Sequence, residues 1–181
     1  DKHRASGPEN WDKKVIKDLS DKLLDDVYEY SKRLYAEGKR SVLVVLQGMD
    51  ASGKDGLTRS LFQKVSPAWV NVHSFKKPSD EEFAHDFLWR VHKVVPQKGM
   101  ISIFNRSHYE DVIVGRVHGF LKPKEIERRH RQINDFERML SENGTTVLKC
   151  FLYIDKAEQK QRLQERLDDP QKNWKFQKGD L

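Results

Sequence analysis

The sequence predicts an α/β fold, an open parallel sheet covered by helices on both sides, and three observations lead there. Segments patterned as strands alternate with segments patterned as helices along the chain. The first strand, residues 42–46, is five consecutive apolar residues, as in a strand buried on both faces of a parallel sheet. Polar clusters follow three of the four expected strands, at 48–56, 75–80 and 105–111. In such sheets ligands bind at the carboxyl ends of the strands.

The elements follow in order. Residues 1–9 are polar, contain Ser-Gly-Pro and read as a tail. Val15, Leu19, Leu23, Val27, Tyr30 and Leu34 recur at three- and four-residue steps and predict an amphipathic helix over 10–37, ended by Gly38. Beyond the first strand, Leu57, Leu61, Phe62 and Val65 predict a helix stopped by Pro67. Val70, Val72 and Phe75 alternate, giving a second strand with a polar face. Ser79 or Asp80 can cap one helix running through Phe83, Phe87, Leu88, Val91 and Val95. A third strand covers 100–104, and a long charged helix runs from about 124 to 143, closed by Asn143-Gly144. The fourth strand, 147–154, is apolar apart from Lys149, and Cys150 within it is expected to be a buried packing residue. Asp155 caps a last helix through Leu167, and Asp168-Asp169-Pro170 breaks the pattern before a basic, aromatic remainder. The 181 residues suit a single domain spanning 1–181.

Charge narrows the function classes. Apolar residues make up 36% and charged ones 34%, with a net charge of +6, which suits a polyanionic partner such as nucleotide, polyphosphate, nucleic acid or acidic membrane. No run of eighteen apolar residues and no signal peptide is found, and one cysteine cannot form an internal disulfide. A reducing cytoplasm therefore fits. His108, Glu110 and Asp111 lack the spacing of a zinc site, and no G-x-S-x-G marks a hydrolase triad.

The segment Gly48-Met49-Asp50-Ala51-Ser52-Gly53-Lys54 has the G-x-x-x-x-G-K pattern of a P-loop. Its glycines let backbone amides converge, Lys54 adds a charge, and the helix that follows contributes its positive end. Asp55 stands where Ser or Thr is usual. Phosphoryl transfer needs a cradle, a metal and cations on the moving group. Asp50 and Asp111 are candidates for holding Mg²⁺; alternatively, Asp50 caps a turn and Asp111 is a solvated helix carboxylate. Arg106 can clamp phosphate oxygens or pair with Glu110, four residues on. Arg162 and Arg166 share a helix face and, with Lys156, Lys160, Lys172, Lys175 and Lys178, form either a lid over phosphates or a solvated face. Arg116 and Arg128-Arg129 extend this basic character, while Phe75 and Phe83 flank a basic loop at 76–79 and are carried as base-stacking candidates. No general base stands at the expected site of transfer, which favours a phosphate acceptor over a hydroxyl.

Three sets of residues together closely resemble the polyphosphate kinase 2 family: the run from Gly48 to Gly56; Lys77-Pro78-Ser79 with His85-Asp86-Phe87-Leu88-Trp89-Arg90; and Asn105-Arg106-Ser107-His108-Tyr109-Glu110-Asp111-Val112. Arg166-Leu167-Asp168-Asp169-Pro170 with Trp174-Lys175-Phe176 is similar to the start of that family's lid. The resemblance implies a thymidylate-kinase-like three-layer P-loop sandwich, with a helical lid beginning at about 156–181. It also implies reversible phosphoryl transfer from inorganic polyphosphate to AMP, ADP or other nucleoside mono- and diphosphates, with Mg²⁺. By position, Asp50 and Asp111 would hold the metal, and Gly48, Met49, Ala51, Ser52, Gly53, Lys54, Asp55 and Gly56 would form the phosphate cradle. Arg106 would steady the transferred group, with Arg116, Arg162 and Arg166 in the basic channel and lid. Asn105 replaces an acidic residue of many members, and Glu110 replaces their Asn, as in the subgroup that accepts both mono- and diphosphates. Lys77, Asp80, Phe83 and Asp86 lie where the acceptor, a purine nucleotide, is expected. A cytoplasmic homodimer or homotetramer is expected, without nucleic acid or membrane partners. Family members continue past the position of Leu181, so a C-terminal part is expected to be missing. The rival readings are an ATP-dependent nucleoside monophosphate kinase of the thymidylate kinase type and a non-catalytic polyanion-binding module.

Overall fold

The computed structural model describes residues 12–171. Its elements are α1 (Lys13–Glu37), β1 (Ser41–Gly48), α2 (Lys54–Phe62), β2 (Val70–His73), α3 (Asp80–Ala84), α4 (Trp89–His92), β3 (Ile101–Asn105), α5 (Glu110–Val117), α6 (Pro123–Glu142), β4 (Thr145–Leu152) and α7 (Lys156–Asp168). A 3₁₀ turn, Pro67–Trp69, leads into β2. The four strands form one parallel sheet in the order β2-β3-β1-β4. The alternation of strand and helix along the chain thus becomes a three-layer α/β sandwich.

Period-two alternation in the strands divides the core into two halves. Leu43, Val45 and Phe104 point to one face, where Phe75, Val91, Phe136 and Leu140 pack on them. Val44, Leu46, Ile101 and Ile103 point to the other, against Leu34 of α1 and Leu57 and Phe62 of α2. Leu43, Leu46, Ile103 and Phe104 are fully buried, and each such side chain contributes about 1.5–3 kcal/mol. β1 and β3, the two central strands, each carry side chains of both halves of the core.

Three expectations are corrected. The helix expected through 79–95 is two short helices, because the Asp86 carboxylate accepts from the Leu88 amide and starts a separate turn. Cys150 is exposed, since β4 is an edge strand and most of its side chains are uncovered. Phe75 is a core residue, edge-on to Phe104 at 5.0 Å, which removes it from any base-stacking role. Capping at Ser79 is as expected: its hydroxyl accepts from the Glu82 amide, and Glu82 accepts from the Ser79 amide. Asp155 caps α7 in the expected way. The tail at 1–9 and the lid segment beyond 171, with Lys172, Trp174, Lys175, Phe176 and Lys178, lie outside the described residues. Among the described residues no helix is long and apolar enough to cross a membrane.

Candidate active site

The tip of β1 turns into a loop whose geometry only certain residues allow. A Cβ on Gly48 would stand 2.6 Å from Ser52 Oγ and 2.7 Å from the Leu152 carbonyl, so no larger residue fits. Gly53 takes φ +97° and caps α2 without a side-chain hydrogen bond. The first amides of α2 therefore meet the loop uncovered, at the positive end of the helix. Lys54 is buried and folds back over the loop, donating from Nζ to the carbonyls of Gly48 (2.7 Å) and Met49 (3.0 Å) and to Ser52 Oγ (3.3 Å). Burial lowers its pKa most, and Arg106 adds to that; Asp50, Glu110 and Asp55 act in the opposite sense. Those four names also identify which charged groups gather around the lysine.

β3 ends beside this loop and adds the second wall. Asn105 Nδ2 donates to Asp55 Oδ1 at 2.7 Å, so the irregular carboxylate after Lys54 ties the two strand tips together. Arg106 pairs with Asp50 at 3.1 Å, both side chains 49% exposed. Glu110, the other partner expected for Arg106, is also close enough for the guanidinium to favour its carboxylate form. Arg106 also adopts φ +66°, a left-handed conformation that costs a non-glycine residue about 1–3 kcal/mol. Glu110 stands near Arg106, Lys54 and Asp50 and hydrogen-bonds Gln47. Burial holds its carboxyl above the usual range, against the lowering effects of Arg106, Gln47 and Lys54.

The third wall is α7. Arg162 Nη1 donates to the Ala51 carbonyl at 3.1 Å while its Nε holds Glu158 at 2.7 Å. Gln159 Nε2 donates to the Asp50 carbonyl at 3.1 Å. Arg166 lies half-buried in the last turn of α7, and Arg116 is exposed in the last turn of α5. The expected nucleotide residues lie on the segment after β2: Lys77 in the loop, Asp80 and Phe83 on α3, and Asp86 before α4. All four are exposed, Phe83 by 82%.

Asp111 belongs to a separate, buried cluster. Both its carboxylate oxygens accept from Arg90 Nη2, at 2.9 and 3.2 Å, with side-chain exposures of 11% and 6%. Arg90 also donates to the Lys76 carbonyl at 2.8 Å, approaches Glu82 at 3.5 Å and lies over the Phe75 ring. Arg129 donates to the Asp111 carbonyl at 3.0 Å. This cluster joins the segment after β2 to the start of α5. Of the two carboxylates expected at a metal, only Asp50 faces the cradle's charges.

The family model for polyphosphate kinase 2 matches residues 10–181. The chain belongs to the polyphosphate kinase 2 family. It is 59% identical over 148 residues to an AMP/ADP-polyphosphate phosphotransferase of Meiothermus ruber, covering 82% of this chain and 55% of that protein. It is 42% identical over 160 residues to an ADP-polyphosphate phosphotransferase of Rhodopseudomonas palustris, with the same coverages of 82% and 55%. The crystal structure of polyphosphate kinase 2 from Arthrobacter aurescens TC1 superposes with a TM-score of 0.94 at 43% identity, over 99% of this chain and 65% of that one. The chain thus spans about half the length of the curated relatives it matches.

Several contributors escaped the sequence reading. Gln47 donates to Ser107 Oγ at 2.7 Å, and a polar residue ending an apolar strand was the only signal for it. Gln159 carried none, because its partner is 109 residues away, and Arg90 stood out only within the family-like run 85–90, with no role attached to it.

Proposed function

We propose that this protein transfers phosphoryl groups reversibly between inorganic polyphosphate and AMP or ADP, in a cytoplasmic setting and with Mg²⁺. The observation that carries the reading is the convergence of Lys54, Arg106 and Arg162 on one loop, each held by partners that phosphate oxygens can replace. Lys54 exchanges loop carbonyls for phosphate oxygens, and Arg106 exchanges the half-exposed Asp50. Both changes place positive charge on the moving group as its negative charge spreads. An acceptor phosphate is already an anion, so placement and neutralisation suffice. The relatives' names, which specify polyphosphate with AMP or ADP, support the same pair of substrates.

A divalent ion fits these residues. Among the described residues no three His, Cys, Asp or Glu side chains stand together as a self-sufficient metal site. Mg²⁺ does not need one, since it takes one or two carboxylates and completes its shell from phosphate oxygens and water. Asp50 is the carboxylate that would hold it; Asp111 would first have to leave Arg90. When bound, the ion would neutralise charge between donor and acceptor phosphates. Lys77, Asp80, Phe83 and Asp86 would receive the nucleotide, and Arg116 and Arg166 would extend the path for the polyanion.

The test is a donor–acceptor matrix on the complete gene product: polyphosphate or ATP as donor, AMP or ADP as acceptor, with and without Mg²⁺. Metal-dependent ADP and ATP formation from polyphosphate is expected, and Lys54→Ala should lower it by about 10²–10³-fold. Transfer from ATP alone would replace this reading with an ATP-dependent kinase.

A further inference from the structure

The loop between β3 and α5 has two sides. Asn105, Arg106 and Glu110 serve the cradle and Ser107 accepts from Gln47, whereas His108, fully buried, and Tyr109 turn toward α6. Beneath them lies Glu137 of α6, a buried carboxylate on which three donors converge. His108 Nε2 and Tyr109 Oη reach Oε1 at 3.2 and 3.0 Å, and Lys149 Nζ of β4 reaches Oε2 at 2.6 Å. Burial would raise the Glu137 carboxyl, but hydrogen bonds from His108, Lys149 and Tyr109 outweigh it and the net direction is down. Phe104 and Phe136 wall the His108 ring edge-on, at 6.0 and 6.2 Å.

This anchor has a use one residue away. Arg106 keeps its left-handed backbone only if its surroundings over-determine it. Upstream, Ser74 Oγ donates to the Asn105 carbonyl at 2.6 Å, and the Phe75 amide reaches the Arg106 carbonyl at only 3.5 Å. Downstream, the restraint is the segment 107–109, which Glu137 grips at two consecutive side chains. We propose that Glu137 is a positioning residue: acting through His108 and Tyr109, it holds the loop so that Arg106 and Glu110 face the transferring phosphate. The proposal rests on the function proposed above.

A double-mutant cycle in the complete protein tests it, with polyphosphate and AMP as substrates. Glu137→Gln should lower kcat by about 10–10²-fold, the scale of a small misplacement of a reacting group, with KM moving far less. In an Arg106→Ala background the same substitution should cost less, because one of the two groups being positioned is gone. Hydrogen exchange should accelerate at amides 106–111 while those of β1 keep their protection. Tyr109→Phe, which leaves no buried charge unpaired, should show the same pattern more weakly and decides the matter if Glu137→Gln does not fold. Equal losses in both Arg106 backgrounds, an unchanged kcat, or faster exchange throughout the sheet would overturn the proposal. If the wild-type protein transfers nothing from polyphosphate, the functional reading fails, and the exchange experiment still reports on the anchor.

Discussion

Asp50 and Asp111 each meet an arginine, yet the two pairs differ in almost every consequence. Asp50 and Arg106 are half exposed at the mouth of the cradle, whereas Asp111 and Arg90 are almost fully buried between two loops. An exposed ion pair contributes little to stability because water and salt screen it, and for that reason it can be exchanged for a ligand. A buried pair has already lost its water, and removing one partner strands the other. The first pair is suited to turnover and the second to holding the walls of the site in place.

The strongest way to break this contrast is at the buried pair. Asp111→Asn should lower unfolding stability by about 3 kcal/mol, the lower end for such a loss because the Lys76 carbonyl and Glu82 still face Arg90. Chemical denaturation measures it directly. Asp111→Asn with undiminished stability but a lost Mg²⁺ response would return Asp111 to the metal-ligand role that its resemblance implied.

The exposed pair should behave in the opposite way. Asp50→Asn should change stability by no more than about 1 kcal/mol, while turnover and its response to Mg²⁺ fall sharply. A large drop in melting temperature without loss of turnover would reverse the roles assigned to the two aspartates.

That contrast also marks the limit of what the residues disclosed in advance. The P-loop, the parallel α/β sheet implied by alternation and the polar clusters at the tips of β1 and β3 were legible because apolar runs, glycines and a lysine act locally. The choice between Asp50 and Asp111 was not, since it depends on which arginine lies opposite. Arg90 and Arg106 are both near polar clusters in the chain, and only packing separates them. Cys150 misled for a related reason: apolar patterning identifies a strand but not whether its place in the sheet is central or at the edge.

Glu110, less exposed than Asp50, offers the smallest, sharpest test. Its folded-state pKa is held above the usual carboxylate range, chiefly by burial, so its ionisation opposes folding. The associated stability is fully present below the ordinary carboxylate pKa and is lost as pH rises through the raised value. Glu110→Gln cannot ionise and escapes that loss. The melting temperature of the variant minus that of the wild type should therefore be near zero in acid and rise with pH across that window. The gain should stay below about 1 kcal/mol, because the carboxylate is only partly shielded and solvent screens it. A difference that shrinks with rising pH would mean that Arg106, Gln47 and Lys54 together outweigh burial, and that Glu110 behaves as a stabilised anion like Glu137.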